Sequence, residues 1–440
     1  MGCRKSSAIL DDAARTHSGL LLRTYLAVTP LLAPVARRHL ARRLSRGKED
    51  PDRMSEKLGI ASLPRPDGSL IWMHAVGVGE VLALPALVQA IRTERPDIQV
   101  LITSTSRTSA EALAPNLPDG ARHQFLPLDC LPFVRSFLDH WRPGLSVWAE
   151  RDIWPALVVE TERRGIVLAL VNGRMSTASY KSKCRAKGLY RDLYRRFAHI
   201  GVQDAETAGH FKALGVTADR LTIDGSLKSG ASPLADHPEE RARWQAVLAG
   251  RRVWLAASTH EGDEDAVLQA HLILRQTDPA ACLIIAPRDP HRAASIVQTL
   301  NGTGLKAALT GAGAKAGMTV YVVDRIGVMG LWYRLADAAF VGGSLAETGG
   351  HNPYEAARLG CALIHGPNIR NFTEDYAAFH AMDAARLVHT STELAKALLD
   401  PALAGQTVPA AHVARQGSVG VARVAHRLLS LGGERLDRTK

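Results

Sequence analysis

From Ser69 onward, short apolar runs alternate with amphipathic stretches. Residues 69–76 (SLIWMHAV) read as a buried strand. Residues 80–92 then carry Leu82, Leu84, Leu87, Val88 and Ile91 near helical spacing, which predicts a helix. Further strands are predicted at residues 98–105, 145–150, 166–172, 199–204 and 221–225, with a helix starting over residues 108–113. A second series runs through residues 253–259, 282–287, 320–324, 338–343 and 362–367. Such alternation implies parallel sheets covered by helices on both faces. Residues 229–244 are rich in Pro, Ser, Gly and charge and read as a linker entering a helix. The boundary is placed between Lys228 and Pro238. The pattern thus predicts an α/β fold of two doubly wound domains facing a cleft. In such sheets ligands sit outside the carboxyl ends of the strands, so functional residues are expected just after them.

The first 48 residues follow another pattern. Residues 20–36 (LLLRTYLAVTPLLAPVA) are mostly apolar but hold Arg23, Pro30 and Pro34. A spanning helix needs about 20 apolar residues with few charges, so the run is marginal. The polybasic RRHLARRLSRGK follows at residues 37–48, and such a flank is attracted to anionic leaflets. A short or re-entrant anchor with its basic side cytoplasmic fits best. A cleaved signal peptide, for which no clear small-residue cleavage site follows, and an amphipathic helix packed on the domain are the other readings.

Composition narrows the function. The 440 residues are 46% hydrophobic, enough for two full cores and an appendage. Cys3, Cys130, Cys184, Cys282 and Cys361 are scattered without CxxC spacing, which suggests neither a disulfide framework nor a zinc site. A net charge of +11 favours an anionic partner: a nucleic acid, an acidic lipid, or a phosphorylated or carboxylated substrate. Aromatics are only 5% and interleave with no basic run, which speaks against nucleic acid. No phosphate-binding Gly-x-x-x-x-Gly-Lys loop and no His-Glu-x-x-His occur. The acidic triplet Asp263, Glu264, Asp265 sits at a helix start, where it complements the dipole, and no metal requirement is inferred.

Several strand ends carry chemistry. HAVGVGE, residues 74–80, places Gly77 and Gly79 before Glu80 in a first helical turn. Glu80 there either stabilises the helix dipole or acts as a general base on an acceptor hydroxyl. In residues 103–111 Thr and Ser hydroxyls with Arg107 suit a phosphate or a polar head group, or cap a helix. Glu150 and Asp152 flank Arg151; Glu150 is either a structural partner of Arg151 or turned to the cleft. In the second domain Pro287 and Arg288 end a strand, and a guanidinium fork matches phosphate oxygens. Gly349, Gly350, His351, Asn352, Pro353, Tyr354 and Glu355 read as a glycine loop entering a helix, with Asn352 as N-cap and Pro353 first in the helix. Free N–H groups there bind anions, and Glu355 is placed to accept from ribose hydroxyls.

Taken in order, IWMHAVGVGE, WAERDIWP, VNGRMS, GSLK, ASTHEGDE, APRDPHR, FVGGSLAETGGHNPYEAARLG and GPNIRNF resemble the 3-deoxy-D-manno-octulosonic acid (Kdo) transferase family from about Tyr25 to Val388. The resemblance implies a glycosyltransferase-B fold: two Rossmann-like domains, residues 49–228 holding the acceptor and residues 229–440 the CMP-sugar, after an anchor at residues 1–48. It implies that Glu80 is the general base and that Glu150 and Lys228 stabilise the transition state. Contacts to CMP fall on Pro287, Arg288, Ile326, Gly327, Val328, Asn352, Pro353, Tyr354 and Glu355. The chain departs from the family at Gly77 (serine in the HAVSVGE motif), Asp152 (in the TELWP-like segment), Ser226 (asparagine) and Val328 (an acid), which puts a side-chain role at Val328 in doubt.

The expected activity is metal-independent and cofactor-free. Kdo passes from CMP-Kdo to lipid IVA by inverting single displacement at the cytoplasmic face of the inner membrane, beside anionic lipids. A two-domain transferase using a UDP-sugar and a non-catalytic nucleotide- or lipid-binding protein are the alternatives.

Overall fold

The computed structural model describes residues 18–149, 153–230 and 233–437. The chain forms two units, one taking the chain up to Gly230 together with everything from Val419 on, the other spanning Ala231–Ser418.

In the first unit seven parallel strands are laid down as β1 (Leu70–His74), β2 (Gln99–Ser104), β3 (Ala121–Phe125), β4 (Leu145–Ala149), β5 (Val167–Gly173), β6 (His199–Val202) and β7 (Leu221–Ile223). They lie in the order β3-β2-β1-β4-β5-β6-β7. The direction of winding therefore reverses between β1 and β4, whose register pairs His74 with Trp148. Both faces of this sheet are dry. Trp72, Leu101, Trp148 and Leu170 pack on one side, and Ile71, Met73, Ile102 and Val147 on the other. Burial on both faces is why the central strands are mostly apolar runs without polar alternation.

The second unit repeats the plan with β8 (Val253–Thr259), β9 (Cys282–Pro287), β10 (Ala307–Leu309), β11 (Val320–Val322), β12 (Ala338–Val341), β13 (Ala362–His365) and β14 (Arg386–Leu387). Their order is β10-β11-β9-β8-β12-β13-β14. Winding reverses between β8 and β12, where Val341 lies beside Ala257. Three strands not foreseen in the sequence, β3, β10 and β14, are all at sheet edges. An edge strand is short or polar and carries no long apolar run: β3 reads ARHQF, and β14 has only two residues.

Two local expectations change. The helix foreseen over residues 80–92 is two helices, Val78–Val81 and Leu84–Glu94, the second with Pro85 in its opening turn. Proline is accepted there because its missing N–H would be unsatisfied anyway. The second domain was expected to run to residue 440, yet the last helical stretch, Thr407–Asp437, returns to the first unit beyond Ser418. Val421, Val424, Ala425 and Leu428 enter the core of the first sheet. Arg427 donates to Asp224 at 2.8 Å. Burial pushes the Asp224 carboxyl up, but hydrogen bonds from His199 and Arg427 outweigh it and hold the group below its ordinary range.

Toward the amino terminus, residues 20–45 are helical throughout, as Leu20–Val28, a 3-10 turn Thr29–Leu32 and Ala33–Ser45. This 26-residue stretch is long and apolar enough to cross a membrane, a property shared by signal sequences and some core helices. Leu22 and Leu26 dock on the first unit, while Leu20, Leu21, Leu31 and Val35 are exposed. The part of the expected anchor before Ser18 lies outside the described residues.

The carboxyl-terminal return generates a stability prediction. Leu428→Ala, fully buried, should destabilise the first unit by about 2–5 kcal/mol. Val408→Ala, 71% exposed, should leave the thermal transition unchanged. Equal melting curves for both variants would contradict this packing.

Candidate functional site

The site in the first unit grows out of the reversal between β1 and β4. Past His74 the chain turns into the helix Val78–Val81, and Glu80 folds back over its start. Its Oε2 accepts from the N–H of Gly77 at 2.6 Å and of Val76 at 3.2 Å. The half-buried carboxylate thus closes the helix terminus and is fixed in direction by the two donors. A Cβ placed on Gly79 would stand 3.9 Å from Lys228 Nζ, so this ammonium overlies the turn that carries Glu80.

Asn172 sets the position of Lys228. It stands next to last in β5 in a left-handed conformation (φ 55°), and its Oδ1 accepts from the Leu227 N–H at 2.9 Å. Asparagine tolerates that conformation better than most residues. Its place at a strand end was visible in the sequence, but its conformation was not. Glu150 follows Ala149, the last residue of β4, and lies with Arg151 and Asp152 outside the described residues.

Beneath the turn, His74 Nδ1 lies 3.0 Å from Thr103 Oγ1. Its buried Nε2 makes no hydrogen bond among the described residues. Burial pushes this imidazole down to about 4, against the Thr103 carbonyl and the Glu80 charge, so it is neutral near pH 7.

The second unit places its candidates at the reversal between β8 and β12. Asp263, fully buried in the helix Glu261–Thr277, accepts four backbone N–H groups: His260 at 3.0 Å, Gly343 at 2.6 Å, Leu345 at 3.0 Å and Ala346 at 2.9 Å. Its work is structural, beyond the dipole role expected for the triplet. Gly343 (φ 67°) must be glycine: a Cβ there would meet Thr348 Oγ1 at 2.5 Å and the His351 ring at 3.0 Å. His260 Nε2 and His351 Nε2 are 2.9 Å apart with rings nearly parallel, so one carries a proton and the other accepts it.

Arg288 follows Pro287 with its N–H on the Thr259 carbonyl at 3.0 Å and its side chain exposed. Its charge acts on both neighbours in the glycine loop. Burial pushes Glu355 up, opposed by Arg288, Asn352 and Arg358. Burial, Arg288 and His260 push His351 down to about 4. Asn352 Oδ1 accepts from the Tyr354 N–H at 3.0 Å. The helix beginning after Pro353 runs only from Tyr354 to Arg358. A helix this short adds little dipole to the free N–H groups at its start, and Arg288 and Arg358 are the positive charges that act on Glu355. Ile326 is 86% exposed, Gly327 has φ 86°, and Val328 is buried. They follow β11, the neighbour of β9, so they continue one strand over from Pro287.

A family model described as 3-deoxy-D-manno-octulosonic-acid transferase (kdotransferase) matches residues 52–231. The 3-deoxy-D-manno-octulosonic acid transferase of Rickettsia bellii is 33% identical over 87% of this chain and 91% of its own. The chain belongs to the Kdo transferase family. The Haemophilus influenzae transferase is 30% identical over 73% of this chain and 76% of its own. Among solved structures, a putative UDP-N-acetylglucosamine 2-epimerase from Listeria monocytogenes aligns with 85% of this chain and 98% of its own at a TM-score of 0.54 and 12% identity, a likeness of fold. The fold is accordingly of glycosyltransferase-B type, and the chain is a glycosyltransferase.

Within this Kdo transferase other candidates resolve as structural. Arg107 pairs with Glu111 at 2.7 Å, and Ser106 caps their helix through the Ser109 N–H. Arg292 holds Glu264 through two hydrogen bonds of 2.9 and 2.8 Å. No cluster of three metal-ligating side chains occurs among the described residues.

The transferase's second unit carries a pH prediction. Burial pushes His271 and His365, like His351, down to about 4. The unfolded chain binds these protons near its ordinary pKa of about 6.5. Stability from the neutral imidazoles is therefore complete above about 6.5 and declines as pH falls toward about 4. His351→Gln should flatten that slope in thermal unfolding between those limits, and an unchanged slope would contradict a buried neutral His351.

Proposed function

We propose that the chain transfers Kdo from CMP-Kdo to the lipid A precursor lipid IVA, by metal-independent, inverting single displacement. Glu80 takes the proton of an acceptor hydroxyl as that oxygen bonds to the anomeric carbon of Kdo. The bond from the same carbon to the CMP phosphate oxygen breaks, and CMP departs with the electron pair. The transition state is oxocarbenium-like, as in glycoside chemistry. Charge growing on the phosphate meets the Arg288 guanidinium and the Lys228 ammonium, groups whose preorganisation is worth most in the transition state. Glu150 serves the same stage. Pro287, Ile326, Gly327, Val328, Asn352, Pro353, Tyr354 and Glu355 contact CMP, and at Val328 the contact is through backbone.

The observation that supports this reading is the Glu80 carboxylate, oriented by two N–H donors at the sheet reversal with Lys228 over the same turn. The helical residues 20–45, apolar and then basic, suit work at the cytoplasmic face of the inner membrane on a lipid acceptor.

Kinetics test the roles. Glu80→Gln should lower kcat by about 10²–10⁴-fold while CMP-Kdo binds as before. Arg288→Ala should lower kcat by about 10²–10³-fold, the scale of a lost oxyanion donor. Near-normal turnover in the Glu80 variant would exclude it as the base.

A further inference from the structure

Past the ends of β9, β8 and β12 the second unit gathers three polar side chains. Thr259 and Pro287 are register partners, and the Arg288 N–H closes on the Thr259 carbonyl at 3.0 Å, so Arg288 and His260 leave the sheet side by side. On the other side of β8, Gly343 follows β12, and a Cβ placed there would stand 3.0 Å from the His351 ring. The Nε2 atoms of His260 and His351 are 2.9 Å apart, with ring centroids 5.2 Å apart and planes within 6°. The centroid separation is close to the nitrogen separation plus two ring radii, so the rings meet edge on, the N–H of one aimed at the lone pair of the other. Backbone bonds hold both residues. The His260 N–H donates to Asp263 at 3.0 Å, and the His351 carbonyl accepts from the Tyr376 hydroxyl at 3.3 Å.

In the neutral pair four ring nitrogens share two protons. One proton lies in the Nε2 bridge, and the ring that accepts it carries its own proton on Nδ1. The pair therefore offers one Nδ1–H and one bare Nδ1. Among the described residues neither Nδ1 makes a hydrogen bond, and neither is one of the buried polar atoms left without a partner. The other close pair, His365 and His380 with Nε2 atoms 2.9 Å apart, differs, because His365 spends its Nδ1 on the Gly366 carbonyl at 2.7 Å. Only a third proton would place N–H on both outer nitrogens of His260 and His351, and it would bring a positive charge.

The surroundings withhold that proton until an anion arrives. Burial, Arg288 and His260 hold His351 down at about 4, against the charge of Asp263. Of the other charged groups nearby, Glu264 is held by Arg292, and Glu355 is acted on by Arg288 and Arg358. A phosphate seated at Arg288 offsets the repulsion of the guanidinium and adds an opposite charge, which raises the pKa of an imidazole by about 1–3.

We infer that His260 and His351 belong to the donor phosphate site: the pair takes up one proton from solvent as the nucleotide phosphate binds, and presents Nδ1–H and a positive charge to its oxygens beside Arg288. The inference rests on the CMP-sugar reading above. Departure of the sugar leaves the phosphate a dianion where the bound ester was a monoanion, and the charge gained by the pair meets that growth.

Calorimetry tests this without turnover. The probe is the methyl phosphodiester of CMP, a monoanion with no phosphate proton of its own to exchange. Titrated into the full-length chain at about pH 5.5, in buffers of different ionisation enthalpy, it should bind with uptake of at least about half a proton per site. His260→Gln and His351→Gln should each bind it about 10-fold more weakly, the scale of a lost charge-assisted hydrogen bond, and lose the uptake. His412→Gln, at an exposed position, should keep both. Glu355 also gains proton affinity beside an anion, but that uptake survives both substitutions, so equal uptake in all variants would overturn the assignment. Binding without uptake in the unaltered chain would overturn it too, and would leave the CMP-sugar reading standing. No binding of the ester would sink that reading and the role of the pair with it. Should neither glutamine variant fold, nitrogen resonances of isotope-labelled histidine in the unaltered chain decide: the ester should convert a bare ring nitrogen to a protonated one, and no conversion would overturn the proposal.

Discussion

Where the strands of a parallel sheet pass into loops and helix starts, backbone N–H groups are left without a strand or helix partner, and buried N–H groups must find acceptors. Both units meet this constraint with a carboxylate. In the first unit Glu80 takes the N–H groups of Val76 and Gly77. In the second, Asp263 takes those of His260, Gly343, Leu345 and Ala346. The two differ in exposure. Asp263 is sealed from solvent and spends both oxygens on backbone, whereas Glu80 is half-buried and uses Oε2 for both donors. One carboxylate is sealed inside its loop, and the other keeps part of its surface open to solvent.

The capping role of Glu80 and the base role proposed for it are compatible. The N–H donors that make it a cap also fix the direction of its carboxylate, and a base must be oriented before it can act. Similar support lies behind Lys228, through Asn172 and Leu227, and behind Arg288, whose backbone is tied to Thr259. In each case the candidate side chain follows a strand, and hydrogen bonds to its own or neighbouring backbone help place it.

The sequence made the central strands legible because burial on both faces requires unbroken apolar runs, as in IWMH of β1 and CLIIAP of β9. The edge strands β3, β10 and β14 escaped because they lack that burial, whereas the edge strand β7 was still legible as LTI. Pro85 was a readable stop that the leucine spacing masked. The return of Val421, Val424 and Leu428 to the first sheet could not be read, since a core-facing stripe does not say which core it faces. At the sites, residue types were legible from strand ends, but long-range pairings were not: Tyr25 with Asp129, His260 with His351, and Asn172 with Leu227 join segments far apart in the chain.

The most direct measurement is the mass of the product formed when the full-length chain in anionic lipid vesicles is given lipid IVA with either CMP-Kdo or a UDP-sugar. Lipid IVA heavier by whole Kdo residues is expected, with CMP released in equal number and no product from the UDP-sugar. Unmodified lipid IVA with CMP-Kdo, or a glycosylated lipid made from the UDP-sugar instead, would contradict it.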